Sequence, residues 1–183
     1  MVIIKSLIDY DFCHNVTLTA SNRLSGVSVA IEIERKYLLK DDSWREQVTS
    51  SELIRQGYLA PLDTSSVRVR IEGEKANINI KSATIGITRT EYEYAIPFED
   101  ATEMLDKLCR KPQIHKTRHC IIVDQHKWEI DEFYDENSGL IVAEIELKDE
   151  NESFVKPEWL GKEVSNDARY YNVNLVKEPF CRW

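Results

Sequence analysis

Two carboxylates and an ammonium alternate with other residues in the segment IEIERKYLL, residues 31–39. Such alternation is typical of a strand, so Glu32, Glu34 and Lys36 would share one face. The same order of acid, acid and base returns at Glu144, Glu146 and Lys148. Carboxylates can ligate hard divalent cations and basic side chains can bind anions, so these rows could hold a cation, an anion or both.

Most other strand-like segments also have one charged or polar face. The sets that would share a face are Arg68 with Arg70, Asn77 and Asn79 with Lys81, Arg89 with Glu91 and Glu93, Lys116 with Arg118, and Glu129 with Asp131. The opposite faces are apolar in several strands, for example at Val67, Val69 and Ile71. For any strand alone, an antiparallel sheet with one face in solvent explains this pattern.

The joint pattern favours a closed barrel. Surface strands usually mix Thr, Ser and Gln with their charges, whereas the polar positions here are mainly Glu with Arg or Lys. A sheet that closes with its charged face inward would surround a polar tunnel, and peripheral helices would cover its apolar outer face. We therefore predict a mainly β (α+β) fold, an eight-stranded antiparallel closed barrel with few helices.

Three helices are expected beside the strands. Ser43 and Glu46 form a capping-box pattern that predicts a short helix. Ala101, Met104, Leu105 and Leu108 follow helical spacing in residues 99–111, where Asp100 would cap the helix start. A closing helix is expected to begin near Ser165. Residues 56–63 (QGYLAPLD) are expected to form only a brief strand, broken by Pro61.

Composition limits the class of protein. The chain has 183 residues, 31% of them charged, and a formal net charge of -8, which disfavours a nucleic-acid binder. No apolar run approaches a membrane span, and the first residues do not form a signal peptide. The four scattered cysteines, at positions 13, 109, 120 and 181, indicate reduced thiols and a cytoplasmic protein. We expect residues 1–29 to be a poorly ordered extension, residues 30–178 the domain, and residues 179–183 a tail.

The ordered motifs resemble those of the CYTH superfamily, the triphosphate tunnel metalloenzymes. The resemblance covers residues 30–176 and rests on EIERK, RQGYL, VRVRI, IKS, RTEYEYAI, KTR, EIDEF, GLIVAEIEL and WLGKEVSNDARY, in that order. The EIERK segment alone is weak, because any charged strand can produce it. Its conjunction with KTR and AEIEL is specific. The resemblance implies an eight-stranded tunnel that acts on triphosphates with divalent metal ions.

The resemblance also implies roles for the charged rows. The implied substrate-binding residues are basic: Lys36, Arg68, Arg70, Lys81, Arg89 and Arg118. The implied ligands of Mg²⁺ or Mn²⁺ are Glu32, Glu34, Glu144, Glu146 and Asp131, while Glu91, Glu93 and Glu129 could ligate the metal or support its ligands. The implied catalytic residues are Tyr58 and Lys116. Tyr58, in the QGYL motif, could accept a proton from water only if nearby cations lower its pKa from about 10; otherwise its ring simply packs at the tunnel mouth.

The favoured function is hydrolysis of inorganic triphosphate to pyrophosphate and phosphate. Two alternatives stay open from the sequence. One is another reaction of the same superfamily, either a class IV adenylyl cyclase or a hydrolase of organic triphosphates such as thiamine or nucleoside triphosphates. The other is a polyphosphate or nucleotide sensor without catalysis. The expected partner is a small triphosphate, with a homodimer as a further expectation and no nucleic acid or membrane.

Overall fold

The alternating segments form strands. The computed structural model describes residues 30–61, 64–83 and 86–183, so the extension predicted for residues 1–29 lies outside the described residues. The strands are β1 Ala30–Leu39, β2 Ser50–Pro61, β3 Ser65–Glu72, β4 Lys75–Ser82, β5 Thr88–Ala95, β6 Ile114–Val123, β7 His126–Phe133, β8 Ile141–Leu147 and β9 Leu160–Glu163. The α-helices are α1 Phe98–Lys107 and α2 Asn172–Leu175. The 3-10 helices are Ser43–Gln47, Asp135–Asn137, Ala168–Tyr170 and Phe180–Arg182.

Eight of the strands close into an antiparallel barrel. Their order around it is β5-β4-β3-β2-β6-β7-β8-β1, and β1 pairs again with β5 to close the ring. The first half of β1 pairs with β5 and its last residues pair with β9, so the short ninth strand extends one edge of β1. The predicted closed eight-stranded antiparallel barrel is confirmed.

Register places the charged rows on the inner face. Lys36 lies opposite Glu144 and Glu32 opposite Arg89. Arg68 lies opposite Asn79, and Arg118 opposite Asp131. Because directly opposed residues in an antiparallel pair point to the same side, these rows all face the barrel interior.

The outer face of the barrel is apolar and is covered by three tryptophans and by α1. Trp44, Trp128 and Trp159 are 0%, 0% and 1% exposed and belong to one core cluster. Leu105 of α1 packs over Val69 in a second cluster. The core therefore lies outside the barrel, which leaves its interior to polar side chains.

A third apolar cluster, the end plug, closes part of one barrel end. It consists of Ile114, Phe133, Leu140, Val142 and Leu175. Phe180 packs against the plug, and its backbone N–H donates to Asn137 Oδ1 at 2.9 Å. The residues after 178, expected to be a tail, thus pack on the barrel.

Several predicted element boundaries are wrong. The segment around Ser43 is a 3-10 helix whose N-cap, Asp42, makes no side-chain cap bond. β2 is a twelve-residue strand, not a brief one. The helix predicted for residues 99–111 begins at Phe98 and ends at Lys107. Its N-cap is Pro97, not Asp100.

The predicted closing helix from about Ser165 is replaced by a 3-10 turn, Ala168–Tyr170, and the four-residue α2. Just before it, β9 pairs with β1, and Leu160 packs in the core and lies opposite Leu39. Ser165 is buried and its Oγ accepts the backbone N–H of Lys36 at 2.9 Å, so it caps no helix. No helix in the described parts of the chain is long and apolar enough to cross a membrane.

Candidate active site

The barrel interior holds a cavity of about 1050 Å³. Side chains from β1 to β8 line it, and at one barrel end residues Ala168 and Tyr171–Asn174 line it too. The sequence-predicted site residues that line the cavity are Glu32, Glu34, Lys36, Tyr58, Arg68, Arg70, Lys81, Arg89, Arg118, Glu144 and Glu146. Lys116 and Asp131 do not line the cavity and are buried at 1% and 0% exposure.

Glu32 is held by two basic side chains. Lys81 Nζ lies 2.9 Å and Arg89 Nε 2.7 Å from Glu32 Oε2. Burial raises the pKa of Glu32, but Arg89 and Lys81 outweigh burial and hold that pKa far below its usual range. Glu32 is therefore a carboxylate at every physiological pH.

Lys36 joins the acids of two strands. Its Nζ forms ion pairs with Glu34 on its own strand and with Glu144 on β8. Burial raises the pKa of Glu34, but Lys36 and Arg89 lower it to about 2. Burial and Glu34 raise the pKa of Glu144, but Lys36 and Arg118 lower it to about 2. Lys36 therefore neutralises part of the negative charge of Glu34 and Glu144 inside the barrel.

Arg118 lies at the centre of a buried ionic network. Its Nε donates to Asp131 Oδ1 at 2.7 Å, and its Nη2 donates to Asp131 Oδ2 and to Glu144 Oε2, both at 2.6 Å. Lys116 donates to the same Asp131 Oδ2. Burial lowers the pKa of Lys116 to about 8, although Asp131 raises it. Lys116 lies opposite Phe133 and Asp131 opposite Val142, so both are on the inner face next to the end plug and do not line the cavity.

The arginines of β3 face acids of β5. Arg68 Nη2 lies 3.7 Å from Glu91 Oε1, and Arg70 Nη2 lies 3.5 Å from Glu93 Oε2. Asn79, which is 0% exposed, donates from Nδ2 to both glutamates and accepts from Arg68 Nε at 3.4 Å. The alternation of β4 placed Asn79 on this face, but nothing in the sequence predicted that it would join these charges.

Tyr58 lines the cavity, and strand alternation places its neighbour Gly57 on the outer face of the barrel. A Cβ on Gly57 would lie 2.7 Å from Cys109 Cβ, so the close approach of the chain after α1 requires glycine. Gln56 Nε2 donates to the Tyr58 hydroxyl at 3.5 Å. Burial raises the pKa of Tyr58, although Arg68, Arg89 and Lys36 lower it. The nearby cations of this chain alone therefore do not lower the pKa of Tyr58 below its ordinary value, as a role as proton acceptor would require.

Residues near the C-terminus were missed as part of the site. Tyr171, Asn172 and Asn174 line the cavity, and the Tyr171 hydroxyl donates to Ser165 O at 2.8 Å. Tyr171 links a 3-10 turn to α2, and the two asparagines belong to this four-residue helix, which is too short to show a regular period. Only the WLGKEVSNDARY resemblance pointed to this region, and it assigned no cavity role to these three residues.

Glu146 differs from the other acids of the cavity. It lies opposite Glu34, and it forms no ion pair within the described residues. Burial, followed by the charges of Glu32, Glu129 and Glu34, raises the pKa of Glu146. Carboxylates without a basic partner that crowd together in this way favour a cation between them.

The donor chemistry fits a hard divalent cation. Carboxylate oxygens are the ligands that Mg²⁺ and Mn²⁺ prefer, and acids of β1 and β8 oppose one another here. Across residues 30–61, 64–83 and 86–183, no three His, Cys, Asp or Glu side chains already surround one ion-sized point. Ion pairs with Lys36, Lys81 and Arg89 hold Glu32, Glu34 and Glu144 instead.

Similarity to known proteins agrees with this geometry. An inorganic triphosphatase of Acetivibrio thermocellus is 46% identical over 149 residues, which are 81% of this chain and 95% of that protein. An inorganic triphosphatase of Nitrosomonas europaea is 35% identical over 151 residues, 79% of this chain and 96% of that protein. The crystal structure of an inorganic triphosphatase matches with a TM-score of 0.60 at 31% identity, covering 82% of this chain and 97% of that one. The CYTH domain model matches residues 30–178, and the chain belongs to the CYTH domain family.

Proposed function

We propose that this protein hydrolyses inorganic triphosphate to pyrophosphate and phosphate inside the cavity and that it requires Mg²⁺ or Mn²⁺. The observation that carries the proposal is the convergence of basic side chains from five strands on one cavity. They are Lys36, Arg68, Arg70, Lys81, Arg89 and Arg118. The two relatives named inorganic triphosphatases support the same substrate.

The existing ion pairs explain how a polyanion would bind. Arg89 and Lys81 are paired with Glu32, and Lys36 is paired with Glu34 and Glu144. A triphosphate would attract the guanidinium and ammonium groups and would repel the carboxylates that are now paired with them. Triphosphate would therefore replace carboxylates as the partner of these cations, and the carboxylates would become available to a metal ion.

Four glutamates would hold the metal ion. They are Glu32, Glu34, Glu144 and Glu146, which face one another from β1 and β8. When bound, the metal would neutralise charge on the phosphoryl oxygens and on the leaving pyrophosphate. Asp131 is not among these residues, since it is 0% exposed and does not line the cavity.

Tyr58 would orient the attacking water. It lines the cavity together with Lys36, Arg68 and Arg89, and its raised pKa keeps the phenol neutral at physiological pH. A neutral phenol can accept a hydrogen bond from water and donate one to a phosphate oxygen. It would take the proton itself only after losing its own, which burial disfavours.

The protein is proposed to act in a reducing, cytoplasmic setting. Cys109, Cys120 and Cys181 are free thiols in the structure, and proteins of reducing compartments keep their thiols in this state. The homodimer stays a prediction that sedimentation velocity would test.

A substrate panel tests the proposed function. Phosphate release would be measured with tripolyphosphate, ATP and thiamine triphosphate, each with Mg²⁺, Mn²⁺ or EDTA, alongside an assay for cyclic AMP. We expect tripolyphosphate with metal to give the highest kcat/KM and no cyclic AMP. A higher kcat/KM for ATP or thiamine triphosphate, or cyclic AMP formation, would overturn the choice of substrate. No turnover of any substrate, with binding retained, would favour the sensor alternative.

A further inference from the structure

Asp131 has the environment of a support rather than of a ligand. It is 0% exposed and does not line the cavity. Its Oδ1 accepts from Arg118, and its Oδ2 accepts from both Arg118 and Lys116. On the neighbouring strand the residue opposite it is Val142, a member of the end plug. Both oxygens of this carboxylate are therefore bonded to basic side chains.

Arg118 is the only member of this trio that lines the cavity, so it is the group through which Asp131 could act. Its Nε and Nη2 meet the two oxygens of Asp131 at 2.7 and 2.6 Å, the parallel two-bond arrangement that fixes both the position and the plane of a guanidinium. A free arginine side chain loses rotamer entropy when it binds a ligand. Fixing Arg118 beforehand removes much of that cost.

The charges around Asp131 disfavour a metal ion there. Lys116 Nζ and the Arg118 guanidinium both contact the carboxylate, and a divalent cation would have to approach these two positive groups. The glutamates of β1 and β8 also have basic partners, but they line the cavity, where a bound triphosphate would take over those partners, whereas Asp131 does not line it. Asp131 therefore does not share the role of the cavity glutamates.

We propose that Asp131 is a positioning residue that fixes the Arg118 guanidinium for triphosphate binding and that it does not ligate the metal. The proposal rests on the proposed function, since it names triphosphate as the bound anion. It would remove Asp131 from the metal ligands that the sequence resemblance implied.

The test measures tripolyphosphate binding without metal, so that no turnover occurs. Isothermal titration calorimetry in EDTA would compare the wild-type protein with Asp131→Asn, which keeps the shape and removes the charge. We expect the Kd to rise about tenfold, the scale of one weakened charge-assisted hydrogen bond. The Mg²⁺ or Mn²⁺ concentration for half-maximal activity should stay within about twofold of wild type, because no ligand is lost. Unchanged binding in EDTA together with a raised metal requirement would overturn the proposal in favour of a metal ligand.

A double-mutant cycle separates positioning from a general loss of structure. If Asp131 acts through Arg118, then adding Asp131→Asn to Arg118→Ala should change the Kd by less than about twofold. An equal tenfold loss in both backgrounds would contradict the mechanism. Ile130→Ala is the matched control: it lies on the same strand, is 0% exposed and packs on the outer face, so it should lower the Tm and leave the Kd unchanged.

Failure of the proposed function and misfolding of the variant can each be told apart from failure of the proposal. If wild-type protein binds no tripolyphosphate in EDTA and hydrolyses none with metal, the function fails before Asp131 is tested. If Asp131→Asn does not fold, Asp131→Glu keeps the charge and shifts the carboxylate by one methylene. We expect that variant also to weaken binding in an Arg118-dependent manner, and wild-type binding by it would overturn the proposal.

Discussion

Glu34 on β1 and Glu146 on β8 lie directly opposite each other, and both point into the cavity. Like charges opposed across an antiparallel pair destabilise a sheet. Lys36 and Arg89 neutralise Glu34, whereas Glu146 has no ion pair within the described residues. The wall between β1 and β8 is therefore short of positive charge, which a bound divalent cation would supply.

Replacing Glu146 by Gln should raise the metal requirement. The amide keeps the size of the side chain but removes its charge, so we expect the Mg²⁺ or Mn²⁺ concentration for half-maximal activity to rise about tenfold, the usual scale for a disturbed metal site. A metal titration of tripolyphosphate hydrolysis measures this. Glu74→Gln, in the exposed β3–β4 turn, is the control and should leave the requirement unchanged. The same half-saturation for Glu146→Gln as for wild type would exclude Glu146 from the metal site.

The same Glu146→Gln variant should be more stable than wild type when metal is absent. The pKa of Glu146 is raised in the folded protein by burial and by Glu32, Glu129 and Glu34, so its ionised form is disfavoured there relative to the unfolded chain. At pH 7 that ionisation lowers the stability of the fold, and the neutral amide removes this loss. We expect a higher Tm in EDTA by a few degrees, and a smaller metal-induced rise in Tm. An unchanged or lower Tm in EDTA would show that Glu146 is not crowded by like charge.

Acid should destabilise the barrel through Glu34 and Glu144. Their pKa values in the folded protein are about 2, below the ordinary 4.5, so their ion pairs contribute stability that is fully present above pH 4.5. This stability is lost as the pH falls from 4.5 through about 2. Thermal melts from pH 6 to pH 2 in EDTA should show the Tm falling steeply across this range. Glu34→Gln should be less stable at pH 6 and should lose Tm more gradually, while a slope identical to wild type would contradict this origin.

Replacing Arg70 tests whether the basic side chains of the cavity bind triphosphate, with little risk to folding. It lines the cavity and its nearest acids, Glu72 and Glu93, are 3.3 and 3.5 Å away, so few contacts hold it. Arg70→Ala should raise the KM for tripolyphosphate about tenfold or more, the effect of a lost bond between charged groups. Arg55→Ala is the control because Arg55 is bonded to Gln113 and Asp106 on the outer surface. A low Tm with an unchanged KM for Arg70→Ala would make Arg70 structural.

The period of the strands carries most of what the sequence predicts correctly. Alternation placed Glu32, Arg68 and Arg118 on inner faces, and the register confirms that they meet in one cavity. Alternation cannot tell how deep a residue lies along the barrel. It therefore grouped Asp131 with Glu129, although only Glu129 lines the cavity.

The predictions fail where tertiary contacts override local signals. Ser165 has the residue type of a helix cap, but its hydroxyl bonds to the backbone of Lys36 on a strand 129 residues away. Gly161 lies against Leu38, where a Cβ would be 2.7 Å from the backbone oxygen, and this close approach allows β9 to join β1. Nothing in the local sequence around residue 160 shows which strand edge is available.

Tyr58 is the residue at which catalysis and packing can be separated most directly. It lines the cavity and is 7% exposed. If the hydroxyl orients water or takes its proton, Tyr58→Phe should lower kcat by roughly a hundredfold, as for other lost acid-base groups. The KM should change little, because Phe keeps the ring and removes only the oxygen.

The alternative, in which the ring only packs, predicts the opposite division of effects. Tyr58→Phe would then be nearly silent in kcat, and Tyr58→Ala would lower the Tm because it leaves a cavity in the wall. Measuring kcat, KM and Tm for both variants separates the two cases. A pH–rate profile adds a further readout: since the pKa of Tyr58 is raised, a reaction that needs its phenolate should accelerate as the pH rises toward and beyond 10, and Tyr58→Phe should lose that rise. Near wild-type kcat in Tyr58→Phe would remove the hydroxyl from the mechanism and leave a carboxylate of the cavity, such as Glu93, as the next candidate to accept the proton.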